Sequence, residues 1–373
     1  MRYYLIAGER SGDLHGSNLV KAIKQLDAVA NFRGIGGEYM KDAGVALTIN
    51  YGSMAFMGFF EVFKNLRTIK KYITISRQDI LDYKPDVVIL IDYAGFNRQM
   101  ASFCHKKNIR VFYYISPKVW AWHQRRALHL KHNVDKMFVI LPFEKSFYKK
   151  YDWDVDYVGN PVLDAVKNFK ADPLFIQKHN FSGDKPLVAL LPGSRKQELE
   201  RILPLMAKVA NRFPNFQFAV ATVSNLDPKL YDPVKGLTNV TTISEDTYNL
   251  LHHAHAAIVT SGTATLETAL FKVPQVVVYK TGQAGYTIAR WVVSVEFISL
   301  VNLIADKEVV KELIQQEANE VAVAGELQKL VLDEAYKNEV IANYNNIYKT
   351  LDIGSASANA ARLMVKYLNA GMK

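Results

Sequence analysis

Leu187–Arg201 reads LVALLPGSRKQELER, and the fold turns on how that stretch is read. Leu187–Leu191 is an apolar run long enough for a strand buried on both faces. Pro192-Gly193-Ser194 breaks it. Glu198 and Glu200, with Leu199, Ile202, Leu203 and Leu205, then mark the start of a helix. A strand, a tight glycine turn and a helix N-terminus make an anion site, because unpaired N–H groups and the helix dipole point at whatever lies over the turn. Arg195 adds a fork of donors matched to phosphate oxygens. The same residues also fit an ordinary βα connection with a surface arginine.

Outward from this unit the pattern recurs. Tyr3–Ala7 is a strand that runs into Gly8-Glu9-Arg10-Ser11-Gly12-Asp13, then a helix with Leu19, Ala22, Ile23 and Leu26 on its apolar side. Its glycines lie four apart, so this is not the dinucleotide fingerprint. Glu9 and Asp13 suit sugar hydroxyls or a positioned water better than a pyrophosphate. Alternatively, Asp13 caps a helix and Glu9 is merely exposed. Asp86–Ile91 is the clearest buried strand and ends in Asp92-Tyr93-Ala94-Gly95-Phe96-Asn97. Ligands of parallel α/β sheets lie at the C-terminal ends of strands, so Asp92 stands where a general base would serve, or else caps the next helix. Val111–Ile115 leads to Ser116-Pro117-Lys118-Val119-Trp120-Ala121-Trp122, whose tryptophans could stack on a sugar, line an acyl groove or fill core. Met137–Leu141 is a further strand, and Gly159-Asn160-Pro161 is turn chemistry suited to a hinge.

In the second half, strands are predicted at Phe216–Ala221, Val240–Ile243, Ala257–Thr260 and Pro274–Tyr279. Ser261-Gly262-Thr263-Ala264-Thr265-Leu266-Glu267 is again a glycine turn into a helix. Its N–H groups and hydroxyls can hold phosphate, and Glu267 can accept from ribose hydroxyls. Asn302, inside Ser299–Leu303, must find hydrogen-bond partners. His252, His253 and His255 lack acidic or cysteine companions, which argues against a metal. Leu327–Lys349 reads as helical, and a final helix follows Gly354-Ser355.

The 373 residues suit two domains, and 49% apolar with 22% charged residues is a globular composition. Cys104 is the single cysteine, which excludes an intrachain disulfide and a cysteine-based zinc site. The first strand opens at residue 3, leaving no room for a signal peptide, and no apolar run reaches membrane-spanning length, so a cytoplasmic protein is expected. The net charge is +10, and residues 1–165 carry 24 Lys/Arg against 16 Asp/Glu. That imbalance suggests an anionic partner, while no helix-turn-helix, RNP or KH pattern supports nucleic acid. Phe56–Ile73 places Phe56, Phe59, Phe60, Val62, Phe63, Leu66, Ile69 and Ile73 on one side of a helical wheel. Glu61, Lys64, Asn65, Thr68 and Lys71 cover the other side, and Lys64, Arg67, Lys70 and Lys71 outweigh Glu61. This fits a helix at a membrane interface or an acyl-chain site, or else a core-facing amphipathic helix.

Taken in order, AGERSGD (Ala7–Asp13), IDYAGFN (Ile91–Asn97), SPKVWAW (Ser116–Trp122), LPFE (Leu141–Glu144), LLPGSR (Leu190–Arg195), SGTATLE (Ser261–Glu267) and Asn302 in SLVNL resemble the bacterial lipid-A-disaccharide synthases. These are inverting glycosyltransferases of GT-B architecture, an α/β fold of two Rossmann-like parallel-sheet domains facing a central cleft. The resemblance is close to full length. It implies an acceptor and membrane-facing domain over 1–165 and a UDP-sugar domain over 166–350. A terminal helix, 351–373, would return to the first domain or exchange with a second subunit to make a homodimer.

The implied reaction joins UDP-2,3-diacylglucosamine to 2,3-diacylglucosamine 1-phosphate, giving a β-1,6 disaccharide 1-phosphate and UDP, with no cofactor or metal. It implies Asp92 as base, with Glu9 and Asp13 in the catalytic group. Gly193, Ser194, Arg195, Ser261, Gly262, Thr263, Glu267 and Asn302 fall to the donor. Ser11, Asn97, Trp120 and Trp122 fall to the acceptor, and Phe59, Phe60, Phe63 and Leu66 to lipid docking. The expected location is peripheral, on the cytoplasmic face of the inner membrane. The chain departs from the family pattern at Arg10, Ala94-Gly95, Lys118 and His255, which bears on acceptor details more than on the reaction. A UDP-sugar 2-epimerase and a non-catalytic lipid-binding protein are the rival classes.

Overall fold

Runs of Val, Ile and Leu without polar alternation form strands covered on both faces, and both halves of the chain are built on them. A computed structural model describes residues 1–53, 66–282 and 295–371. The chain divides into two units, Met1–Pro161 with Asp352–Lys373, and Val162–Leu351. The division at Pro161 falls a few residues before the expected one, because Pro161 opens the helix Pro161–Asn168.

The first unit holds β1 (Arg2–Ala7), β2 (Asn31–Gly36), β3 (Ala46–Asn50), β4 (Val87–Ile91), β5 (Val111–Tyr114), β6 (Lys136–Val139) and β7 (Asp156–Tyr157). They form one parallel sheet in the order β3-β2-β1-β4-β5-β6-β7. The second holds β8 (Leu187–Leu191), β9 (Gln217–Thr222), β10 (Val240–Ser244), β11 (Ala256–Thr260), β12 (Gln275–Tyr279) and β13 (Glu312–Ile314). Its parallel order is β10-β9-β8-β11-β12-β13. Each sheet starts at its centre, grows one way and then reverses. The switch points lie between β1 and β4, where Ala7 pairs with Ile91, and between β8 and β11, where Leu191 pairs with Val259. Ligands of such sheets bind outside the strand ends at that reversal.

β1 from Tyr3 onward and all of β4 are fully buried. The terminal helix Ala356–Asn369 packs on the helix Arg10–Leu26. It gives Ala360, Ala361, Met364 and Leu368 to the core cluster that contains Tyr3, Leu5 and Leu19.

Two stretches take definite form. Leu327–Lys349 is helical and spans parts of two helices, Glu320–Leu332 and Glu334–Leu351. Asp333 breaks them, and its carboxylate accepts from the N–H groups of Ala335 and Tyr336 to cap the second. Ser299–Leu303 begins the helix Leu300–Ala305, with the Ser299 hydroxyl accepting from Asn302 N.

Phe59, Phe60 and Phe63 lie outside the described residues, as does the side chain of Leu66. The end of that stretch enters the helix Leu66–Tyr83, with Ile73 buried and Lys70 and Lys71 exposed. Among the described residues no helix is long and apolar enough to cross a membrane.

Candidate active site

In the first unit the loops after β1 and β4 meet at the switch point. Asp92 and Tyr93 both have left-handed backbones, φ 46° each. Two consecutive non-glycine residues there store strain that the surroundings must hold. Three contacts hold it. The Tyr113 hydroxyl donates to the Asp92 carbonyl at 2.6 Å, Asn97 Nδ2 donates to the same oxygen at 2.8 Å, and Asp92 N donates to the Tyr114 carbonyl at 3.2 Å. The helix Ala94–Lys106 that follows has no side-chain cap. Burial first, and then the charge of Glu9, push the Asp92 carboxyl up to about 6, with Lys118 pulling the other way. A half-buried carboxyl with that affinity can take a proton near neutral pH. Lys118 thus acts electrostatically on the same group as Glu9.

The other first-unit residues separate. Glu9 is exposed at the start of the helix Arg10–Leu26, and Ser11 is exposed beside it. Asp13 is 0% exposed. Its carboxylate accepts from the N–H groups of Gly37, Tyr39 and Met40 at 2.7, 3.1 and 3.0 Å. It therefore caps the neighbouring helix Glu38–Asp42, whose own N-cap is a glycine. This departs from the expectation of a carboxylate turned to substrate. Asn97 is likewise buried, with Nδ2 committed to the Ile91 and Asp92 carbonyls. The tryptophans divide: Trp120 is core, edge-on to Phe143 at 5.0 Å, whereas Trp122 is 50% exposed.

In the second unit Gly193 has φ 104°, a conformation that favours glycine, and a Cβ there would stand 2.3 Å from Glu198 Oε2. That oxygen accepts from Ser194 N at 3.1 Å and Arg195 N at 3.2 Å. The turn is an anion cradle, and the protein's own Glu198 fills it. The Arg195 side chain is 83% exposed and reaches Glu198 at 3.4 Å. The spacing of a helix cap and a glutamate three residues on is the signal that could have found Glu198 in the sequence.

At the adjacent strand end Gly262 precedes the helix Thr263–Leu270, and none of the described residues lies within 4 Å of where its Cβ would stand. Thr263 is exposed. Ser261 Oγ donates to the Ile298 carbonyl at 2.8 Å. Glu267 accepts from the Tyr248 hydroxyl at 3.1 Å, and burial raises its proton affinity. Asn302 is 0% exposed and fully used inside the protein. Its Nδ2 donates to Val310 O and Glu312 Oε1, and its Oδ1 accepts from Val309 N and Val310 N. Glu312 also accepts from Ile298 N and Ser299 N, both at 2.9 Å. Asn302 therefore reaches Ser261 through Glu312 and Ile298 rather than facing the strand ends itself. Glu312, Tyr248 and Tyr113 are contributors that the sequence reading passed over.

Two of the three histidines touch, His252 edge-on to His253 at 4.9 Å. His253 stacks on Phe175 at 5.3 Å, and His255 Nδ1 accepts from Leu187 N. Among the described residues no group of three metal-ligating side chains occurs.

Two Rossmann-like units, one with a half-buried carboxyl and the other with an anion turn at its switch point, define a protein of the GT-B fold class. The fold is similar to that of the calicheamicin glycosyltransferase CalG4 (TM-score 0.63, 15% identity, 99% of this chain and 98% of that one). It is also similar to the UDP-N-acetylglucosamine 2-epimerase of Neisseria meningitidis, solved with UDP-N-acetylglucosamine bound (TM-score 0.69, 15% identity, 99% and 100% covered). The lipid-A-disaccharide synthetase family profile matches residues 3–364. Lipid-A-disaccharide synthases of Syntrophus aciditrophicus (39% identical, 96% of this chain and 95% of that one) and Coxiella burnetii (35%, 96% of each) are similar throughout. The chain belongs to the lipid-A-disaccharide synthase family.

Proposed function

We propose that this enzyme transfers the sugar of UDP-2,3-diacylglucosamine to the 6-hydroxyl of 2,3-diacylglucosamine 1-phosphate, forming the β-1,6 disaccharide 1-phosphate and UDP. Asp92 takes the hydroxyl proton as the oxygen attacks the anomeric carbon, and UDP leaves from the opposite face. One displacement inverts the centre, with no sugar–enzyme bond. Arg195 and the turns at Gly193 and Gly262 offset charge on the departing diphosphate, and Glu267 accepts from the ribose. In this reading Asp13, Asn97 and Asn302 hold the loops rather than touch substrate, and Trp122 and Ser11 face the acceptor. The Phe56–Ile73 stretch docks the protein on the inner face of the inner membrane. The observation that carries the reading is Asp92, a carboxyl of raised proton affinity in a strained turn at a switch point, in a chain of this family.

The test is UDP release from UDP-2,3-diacylglucosamine with and without 2,3-diacylglucosamine 1-phosphate in mild detergent. Acceptor-dependent release with a disaccharide by mass is expected. Release that ignores the acceptor, or none from folded protein that binds UDP, would overturn the reading.

A further inference from the structure

Between Tyr93 and Val134 the chain has no Asp or Glu, against eight Lys and Arg. The charge excess of residues 1–165 is also eight, so this one stretch accounts for all of it. Part of that charge converges. Arg98, Ser102 and Lys106 lie four residues apart along one side of the helix Ala94–Lys106. Arg77 comes from the helix Leu66–Tyr83, and His129 from the helix Arg126–Asn133. Together with Phe103 they line a cavity of about 410 Å³.

Two contacts hold the walls together and leave one buried donor over. The Arg77 guanidinium lies over the Phe103 ring at 5.2 Å, and its buried Nε has no hydrogen-bond partner among the described residues. Ser102 Oγ and His129 Nε2 stand 3.2 Å apart. The two acids of the Leu66–Tyr83 helix are engaged elsewhere, Asp79 with Arg33 and Asp82 with Gln78. Burial, and then Arg98 and His132, hold His129 below its usual proton affinity. Three permanent cations around a cavity with no acid in its lining repel one another unless an anion joins them. Guanidinium, ammonium and hydroxyl donors converging on one space match the oxygens of a phosphate group.

We infer that this cavity is a phosphate-group site, formed by Arg77, Arg98, Ser102, Lys106 and His129. Its ligand is free phosphate or the phosphate of a lipid headgroup. None of its residues belongs to the candidate active site, so the inference stands or falls independently of the proposed reaction.

The test is calorimetric titration of the full chain with inorganic phosphate at low salt. It compares Arg98→Gln/Lys106→Gln with Lys107→Gln/Arg126→Gln, which removes two charges of the same stretch outside the cavity. Matched urea midpoints confirm folding. The cavity variant should bind phosphate at least about tenfold more weakly, and the control within about twofold. Vesicles of phosphatidic acid in phosphatidylcholine then separate the sources. If only the cavity variant loses vesicle binding, the ligand is a headgroup. If vesicle binding is equal while phosphate still discriminates, it is free phosphate. Equal losses in both variants, or no phosphate binding by the wild type, overturn the site.

Discussion

The ring of Tyr93 lies where a side chain on Gly8 would have to stand, since a Cβ at Gly8 would be 2.3 Å from Tyr93 Cδ1. The loop after β1 and the loop after β4 are thus shaped by each other. Gly8→Ala must push the ring out, and with it the strained Asp92-Tyr93 backbone. We expect a loss of about 1–3 kcal/mol in urea unfolding, the usual cost of overpacking, and turnover reduced by about tenfold or more. Adding Tyr93→Ala should return part of the stability, because the two residues are in contact. Strictly additive losses would mean that the close approach carries no weight.

Asp92 must be ionised to act as a base, so kcat/KM should rise with pH through an acid limb near 6. Glu9→Gln removes a like charge and should move that limb down, and Lys118→Ser removes an opposite charge and should move it up. Asp92→Asn should cut turnover by about a hundredfold or more. A limb that ignores both neighbours would assign it to another group.

Arg195 and Asn302 should fail in opposite ways. Arg195 is exposed, so Arg195→Gln should leave stability within about 0.5 kcal/mol while raising the donor KM about tenfold. Asn302→Ala strands two N–H groups, a carbonyl and Glu312, and should cost about 2–4 kcal/mol in urea unfolding. An Asn302 variant of wild-type stability with a raised donor KM would instead make it a substrate contact.

Glu144 is buried and accepts from Ile140 N and Leu141 N, yet burial still pushes its carboxyl up to about 7. The unfolded chain releases this proton near 4.5, the ordinary value, and the folded chain keeps it to about 7. Folding then binds more protons than unfolding across that window, so stability falls as pH rises from about 4.5 to 7 and is flat beyond. The stability difference between wild type and Glu144→Gln, followed by urea midpoint against pH, should show that slope. A difference independent of pH would place the proton affinity of Glu144 near the ordinary value.

The central strands were legible because each is a short apolar run leading into a glycine turn or an acid, and the motifs at their C-terminal ends fell at the switch points for the same reason. The edges were not. Asp156–Tyr157 and Glu312–Ile314 are too short and polar to show a period, and they exist because a neighbouring strand offers its free side. Within the sites, position along the chain was readable but side-chain direction was not. Asp13 is turned inward by backbone groups 24 to 27 residues later, and Asn302 by Val310 and Glu312. Glu198 had a local signature, the capping spacing. It means that the N–H groups of the Gly193 turn already hold an anion, which an incoming diphosphate would have to displace in the proposed reaction.

The return of the terminal helix to the first sheet bears on how the chain is made. Val162–Leu351 is one uninterrupted segment and can close its core once residue 351 is free of the ribosome. The unit begun by Met1 cannot, because Ala360, Ala361, Met364 and Leu368 complete the cluster around Tyr3, Leu5 and Leu19. The unit that contains β1 is therefore finished after the one set within it, and β1 waits until Val162–Leu351 has been made for the helix that covers it.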